Sequence, residues 1–99
     1  MAQNSWNGYI KDYRNYLKLE RSLSDNSIEA YVHDVELLNS YVDVSKVDVN
    51  PAGITSKHLQ GFLAYINELG MSPHSQARIL SGIKGFFKYL LFEEFIQKE

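Results

Sequence analysis

Four stretches of this chain repeat apolar residues at three- and four-residue steps, the spacing of helices with one buried face. Trp6, Tyr9, Ile10, Tyr13 and Leu17 form the first stripe and predict a helix near residues 5–20. Ile28, Tyr31, Val32, Val35, Leu38 and Val42 form the second, near 25–42. Leu59, Phe62, Leu63, Ile66 and Leu69 form the third, near 55–69. The fourth, near 73–92, divides into two halves. Ile79, Leu80, Ile83, Phe86, Phe87, Leu90 and Leu91 occupy one; His74, Arg78, Ser81, Lys84, Gly85 and Lys88 occupy the other.

Boundary residues support these divisions. Ser24, Asp25 or Asn26 can each offer a side-chain oxygen as the N-cap of the second helix. Asn26 with Glu29 also fits a loose capping box. Thr55 caps the third helix, and Gly70 ends it in the left-handed conformation. Ser72-Pro73 opens the fourth, with Pro where no amide hydrogen is needed. Between Val42 and Gly53 the pairs Val42/Val44 and Val47/Val49 alternate, followed by Asn50-Pro51. A lone strand would have nothing to pair with, so a loop is expected. Gly82 and Gly85 each cost the fourth helix about 1 kcal/mol against Ala, which predicts a close backbone approach there. Four amphipathic helices with short links predict an all-α, compact four-helix bundle forming a single domain over residues 1–99.

Composition narrows the class. Apolar content of 44% and charged content of 22% are those of a soluble globule. No run of about 18 apolar residues is present, so no membrane partner is expected. Met1-Ala2-Gln3-Asn4-Ser5 lacks the pattern of a secretory signal. The chain has no cysteine, which rules out disulfides and thiolate metal sites and fits a cytoplasmic setting.

The net charge of -2 is unevenly spread. Lys11, Arg14, Lys18 and Arg21 outnumber Asp12 and Glu20 between residues 10 and 21. Asp25, Glu29, Asp34, Glu36 and Asp43 are unopposed by Lys or Arg between 22 and 45. From Leu69 to Phe92 there is no acidic residue, but Arg78, Lys84 and Lys88 are present. Such a helix can bury one side and offer cations and hydroxyls to a polyanion from the other.

Enzyme chemistry has little to stand on. There is no glycine-rich phosphate loop, and His33, His58 and His74 lack the spacing of a helical zinc site. No cofactor or metal is expected. Asp34 and Glu36 fall on different faces of the second helix and read as solvated surface. A tyrosine nucleophile would need cations around the scissile phosphate, yet the chain has only Arg14, Arg21 and Arg78. Tyr9, Tyr13 and Tyr31 lie on apolar stripes, with Tyr16, Tyr41, Tyr65 and Tyr89 nearer the edges, so packing is the expected role.

Three segments in order resemble one family. Leu23 to Val35 (Leu-Ser-Asp-Asn-Ser-Ile-Glu-Ala-Tyr-Val-His-Asp-Val) is similar to the L-S-x-N-T-x-x-x-Y-x-x-D-L stretch of tyrosine recombinases, the phage-type integrases and Xer-like enzymes. Ile54-Thr55 to Leu63 resembles their I-T-x-x-x-I-x-x-F-L. Ser75 to Leu90 resembles S-x-x-R-x-L-S-A-I-R-x-F-F-x-Y-L. The likeness spans about residues 6–96 and implies the family's N-terminal core-binding domain, a SAM-like bundle of four helices.

By that resemblance the chain is one piece of a longer recombinase, clamping double-stranded DNA while a separate domain carries catalysis. The full-length protein would also contact other recombinase protomers. The residues placed at DNA are Asn26, Ser27 and Tyr31 on the second helix, and His74, Ser75, Arg78, Ser81, Lys84 and Lys88 on the fourth. Asp34 would make a surface or bundle hydrogen bond. Val32-His33 departs from the pattern, which often has Arg or Lys after the tyrosine. With the acidic second helix, this implies weak binding concentrated on the fourth. The rival expectation is a protein-interaction module with Phe95 and Ile96 as an apolar handle. A self-contained tyrosine nuclease is a third.

Overall fold

Side-chain burial is organised around the second of four helices. The computed structural model describes residues 2–46 and 49–93. Its helices are α1 (Ala2–Leu19), α2 (Asp25–Val44), α3 (Ser56–Glu68) and α4 (Pro73–Phe92). A single 3-10 turn, Pro51–Gly53, lies in the α2–α3 link, where a plain loop was expected. The expected all-α, SAM-like bundle is therefore present. Phe95 and Ile96, the expected handle, lie outside the described residues.

The core draws on every helix. Ile28, Val32, Val35, Leu38 and Val42 of α2 are buried, together with Trp6, Ile10, Tyr13 and Leu17 of α1. Phe62 and Ile66 come from α3; Ile79, Ile83, Phe86, Tyr89 and Leu90 come from α4. Fully burying one such side chain contributes about 1.5–3 kcal/mol, so one shared core suffices for a domain this small. The radius of gyration is 13.0 Å, close to the roughly 13 Å of a compact 100-residue chain. Trp6 also donates from Nε1 to the Val49 carbonyl at 2.8 Å, tying α1 to the α2–α3 link.

Caps decide the helix starts. Ser24, of the three candidates, caps α2 by accepting from the Ser27 amide. The Asn26–Glu29 box does not form; Glu29 turns instead to Arg14 of α1. Ser72 caps α4 in the same way, accepting from the Ser75 amide. Thr55 and His58 make a reciprocal capping box, with His58 Nδ1 accepting from the Thr55 amide at 3.0 Å. Gly70 has φ of 86°, as the end of α3 requires.

Two packing details differ from the expected stripes. Leu69 is exposed, and Leu59 and Leu63 are only half-buried, because α3 buries a narrow strip around Phe62 and Ile66. On α4 the buried side is turned toward Gly82 and Tyr89, leaving Leu80 and Phe87 half-buried and Leu91 exposed. Tyr89, expected near an edge, is 4% exposed. It meets Tyr13 at 5.1 Å and Tyr16 at 4.8 Å between ring centroids.

Gly61 offers a test of packing against propensity. A methyl there would overlap the Tyr41 hydroxyl, and that ring packs on Phe62 and Tyr65. Helix propensity alone favours Gly61→Ala by about 1 kcal/mol. Losing the Tyr41 seat removes two aromatic contacts of about 0.5–1.5 kcal/mol each. Gly61→Ala is expected to lower stability, by roughly 1 kcal/mol, in urea unfolding followed by fluorescence of Trp6, the chain's single tryptophan.

Candidate nucleic-acid interface

The outward side of α4 is an exposed arc interrupted only at the half-buried Gly85. At about 100° per residue, Leu91, Lys84, Ala77, Lys88, Ser81, His74, Phe92 and Arg78 fill about 140° of the helix surface, and all are exposed. Two cations of this arc, Lys84 and Lys88, stand with Ser81, Tyr31 and the rings of Tyr16 and Tyr89 along an open groove whose lining is otherwise largely apolar, from residues such as Leu17, Leu23, Ile54 and Leu80. Arg21 lines the same groove. Arg21, Lys84 and Lys88 take part in neither of the two ion pairs among the described residues.

Along the chain Arg21 belongs with Lys11, Arg14 and Lys18, and spacing alone does not join it to α4. Its position follows from a turn. Ser22 adopts φ of 54°, uncommon for a residue with a side chain. The Arg21 and Leu23 amides close on the carbonyls of Tyr16 and Leu17. Arg21 is thereby carried past the end of α1 to the groove.

Arg78 is engaged differently. Its Nη1 donates to Asp34 Oδ2 at 2.7 Å, and its Cζ lies 5.6 Å from the centre of the Tyr31 ring. Such a stacked cation contributes about 0.5–1 kcal/mol at an exposed site. Asp34 is not solvated surface, as one expectation had it, but 2% exposed. The bundle hydrogen bond is the expectation that holds. Its carboxylate rests on the α4 backbone at Gly82, where a methyl would overlap it. Gly82 thus makes the close approach expected of it. Gly85 has a looser one, with a built Cβ 3.4 Å from the Tyr13 hydroxyl.

The remaining candidates lie at helix starts. Ser24 Oγ is 3.2 Å from Ser27 Oγ, and Ser72 Oγ is 3.2 Å from Ser75 Oγ, so both second serines belong to the caps. Asn26 and His74 are exposed in the first turns of α2 and α4. The sequence thus names four residues that the fold brings to one groove: Tyr31, Ser81, Lys84 and Lys88. Arg78 adjoins them across the Tyr31 ring.

The acidity of α2 is sorted by face. Asp25, Glu29, Glu36 and Asp43 fall within about 40° of one another around the helix axis. That stripe is on the α1 side, where Arg14 pairs with Glu29 and lowers its pKa. Ser27, Tyr31 and Asp34 lie on the opposite flank, where Tyr31 and Asp34 meet Arg78 of α4. The negative charge of α2 is therefore turned away from the groove, apart from Asp34, which Arg78 covers.

Two phenols of the groove lining are held in their neutral form. Burial raises the pKa of the Tyr13 phenol and pushes Tyr89 up to about 12. Both stay protonated and serve as packing groups. Among the described residues no group of three or more His, Cys, Asp or Glu is placed to hold a metal. None of the described helices is long and apolar enough to cross a membrane.

Asp34 sits above the ordinary carboxylate range: burial disfavours its anion more than Arg78 and His33 favour it. A group with a raised folded-state pKa holds its proton more readily folded than unfolded. Its stabilising contribution is complete below the unfolded value and is lost as pH rises through the folded one. Asp34→Asn cannot ionise and should gain stability relative to the parent chain as pH rises from the ordinary carboxylate value through the raised folded-state one. Paired urea titrations at several pH values check this; a parent chain that gains on the variant over that range contradicts it.

Comparison with known proteins identifies the family of the chain. The family described as phage integrase, N-terminal SAM-like domain, matches residues 10–94. The chain is 37% identical over 87 residues to the tyrosine recombinase XerD of Listeria monocytogenes, covering 88% of this chain and 29% of that protein. It is also 37% identical over 87 residues to XerD of Pseudomonas putida, covering 88% and 28%. Tyrosine recombinase XerC of Pseudomonas syringae is 32% identical over 91 residues, covering 92% and 30%. The chain therefore spans less than a third of the length of these relatives. No solved structure matches. With its matched region and its four-helix fold, the chain belongs to the phage integrase N-terminal SAM-like domain family.

Proposed function

We propose that this domain binds duplex DNA through the exposed arc of α4 and the adjoining groove, as the non-catalytic clamp of a Xer-like site-specific tyrosine recombinase. The observation that carries the reading is the gathering of Arg21, Lys84 and Lys88 with Tyr31 and Ser81 along one open groove, with the α2 acids on the far flank. The relatives' names supply the recombinase context. Catalysis, by this reading, belongs to other parts of a full-length recombinase, working with other protomers on cytoplasmic DNA.

The chemistry is that of backbone contact. Lysine and arginine neutralise phosphates and release counterions, while serine hydroxyls add directional bonds. A single helix fits the major groove, and the α4 cations and serines are assigned to phosphates. Affinity should therefore depend strongly on salt and weakly on sequence. The three groove cations alone imply a log–log salt slope near -3 and about a 40-fold loss of affinity between 50 and 200 mM salt, and an Arg78 contact would steepen it.

Lys84→Ala with Lys88→Ala tests the assignment, since both residues are exposed and their loss should leave the fold intact. The double variant is expected to bind mixed-sequence duplex more weakly and to flatten the salt slope by about 2. Fluorescence anisotropy at several salt concentrations reads both. An unchanged slope removes α4 from the interface. The rival module was expected at Phe95 and Ile96; among the described residues it would draw on Phe92, 70% exposed, and Leu91, 36% exposed, which line the same groove. It predicts concentration-dependent association without duplex binding, visible by sedimentation.

A further inference from the structure

Asp34 is the one buried charged side chain among the described residues, and phosphate contact gives it no role. Its surroundings do. One carboxylate oxygen accepts from Arg78 Nη1 at 2.7 Å. The group occupies the room that Gly82 leaves by having no side chain. The Tyr31 ring lies beneath the Arg78 guanidinium, 5.6 Å from Cζ. Arg78 is thus fixed by one donor and one ring face, while its side chain remains 43% exposed. A guanidinium carries five donors in a rigid fork, so most of its donor capacity is left for solvent or ligand.

We propose that Asp34 is a positioning residue: through Arg78 it holds a guanidinium edge toward a DNA phosphate beside Ser81, in a geometry that Tyr31 and Gly82 make possible. The inference rests on α4 being the DNA interface. An arginine held this way need not lose its rotational freedom when the phosphate arrives, which is the benefit of preorganisation. The same contact explains why a carboxylate is tolerable beside a polyanion: it is covered by its cation and by the helix backbone. Burial disfavours the Asp34 anion more than its partner favours it, so the charge adds little to stability. Its consequence is geometric.

Four chains test this by anisotropy with a labelled mixed-sequence duplex, alongside thermal melts: the parent, Asp34→Asn, Arg78→Ala and the double variant. Asp34→Asn should melt no lower than the parent and bind about three- to ten-fold more weakly. In the Arg78→Ala background the same change should do nothing further. Arg78→Lys keeps the charge without the fork and should also bind more weakly than the parent, which gives a reading even if Asp34→Asn folds poorly. Undiminished binding by Asp34→Asn, or an equal effect in both backgrounds, overturns the proposal. Parent-like binding by Arg78→Ala also overturns it, while loss on removing Lys84 and Lys88 would leave the interface standing. Absence of salt-dependent binding by the parent chain would remove the interface as well.

Discussion

The buried stripe of α2 is the constraint on which the other helices depend. Ile28, Val32, Val35, Leu38 and Val42 sit at the centre of the shared core, so α2 has a neighbour on each flank. Each flank then carries an ion pair of its own: Glu29 with Arg14 toward α1, and Asp34 with Arg78 toward α4. The first is exposed, and exposed pairs contribute little, about 0–1 kcal/mol. The second is sunk against Gly82 and orients a side chain of the candidate interface. Once α2 is seated, the outward arc of α4 and the direction of its cations follow from packing.

This arrangement resolves an apparent conflict in charge. A helix with five acids in the segment around it is a poor neighbour for DNA if charge is counted along the chain. Around the helix axis the count changes. Four acids lie on the α1 side and the fifth is covered by Arg78. Salt screens exposed charges beyond about 8–10 Å, so the local surface matters more than the chain's net -2. Arg21 joins Lys84 and Lys88 along the groove, beside the partly exposed Arg78 guanidinium that Asp34 holds.

Much of the fold was legible because periodicity and capping are local. The Ser24, Thr55 and Ser72 caps, the Pro73 start and the Gly70 stop place the described helices near their expected limits. Of the site, Tyr31, Ser81, Lys84 and Lys88 were legible from the basic side of α4 and the family resemblance. Arg21 was not, because its place depends on a left-handed serine for which the sequence carries no clear signal. Asp34 was legible only as two competing readings. Choosing between them required knowing that Gly82 lies against it, a contact across 48 positions. Gly82 looked like a site of close approach; the group approaching it could not be named from spacing alone.

On the proposed function, DNA meets the Arg21–Tyr31–α4 side of the bundle and not the acidic side of α2. Amide and side-chain NMR shifts of the labelled domain, titrated with duplex at low salt, test it most directly. Perturbations should concentrate at Arg21, Tyr31, Arg78, Ser81, Lys84 and Lys88 and fade as salt is raised, with Glu29, Glu36 and Asp43 unmoved. Perturbations centred on the acidic stripe, or shifts at α4 that persist unchanged in high salt, would contradict it.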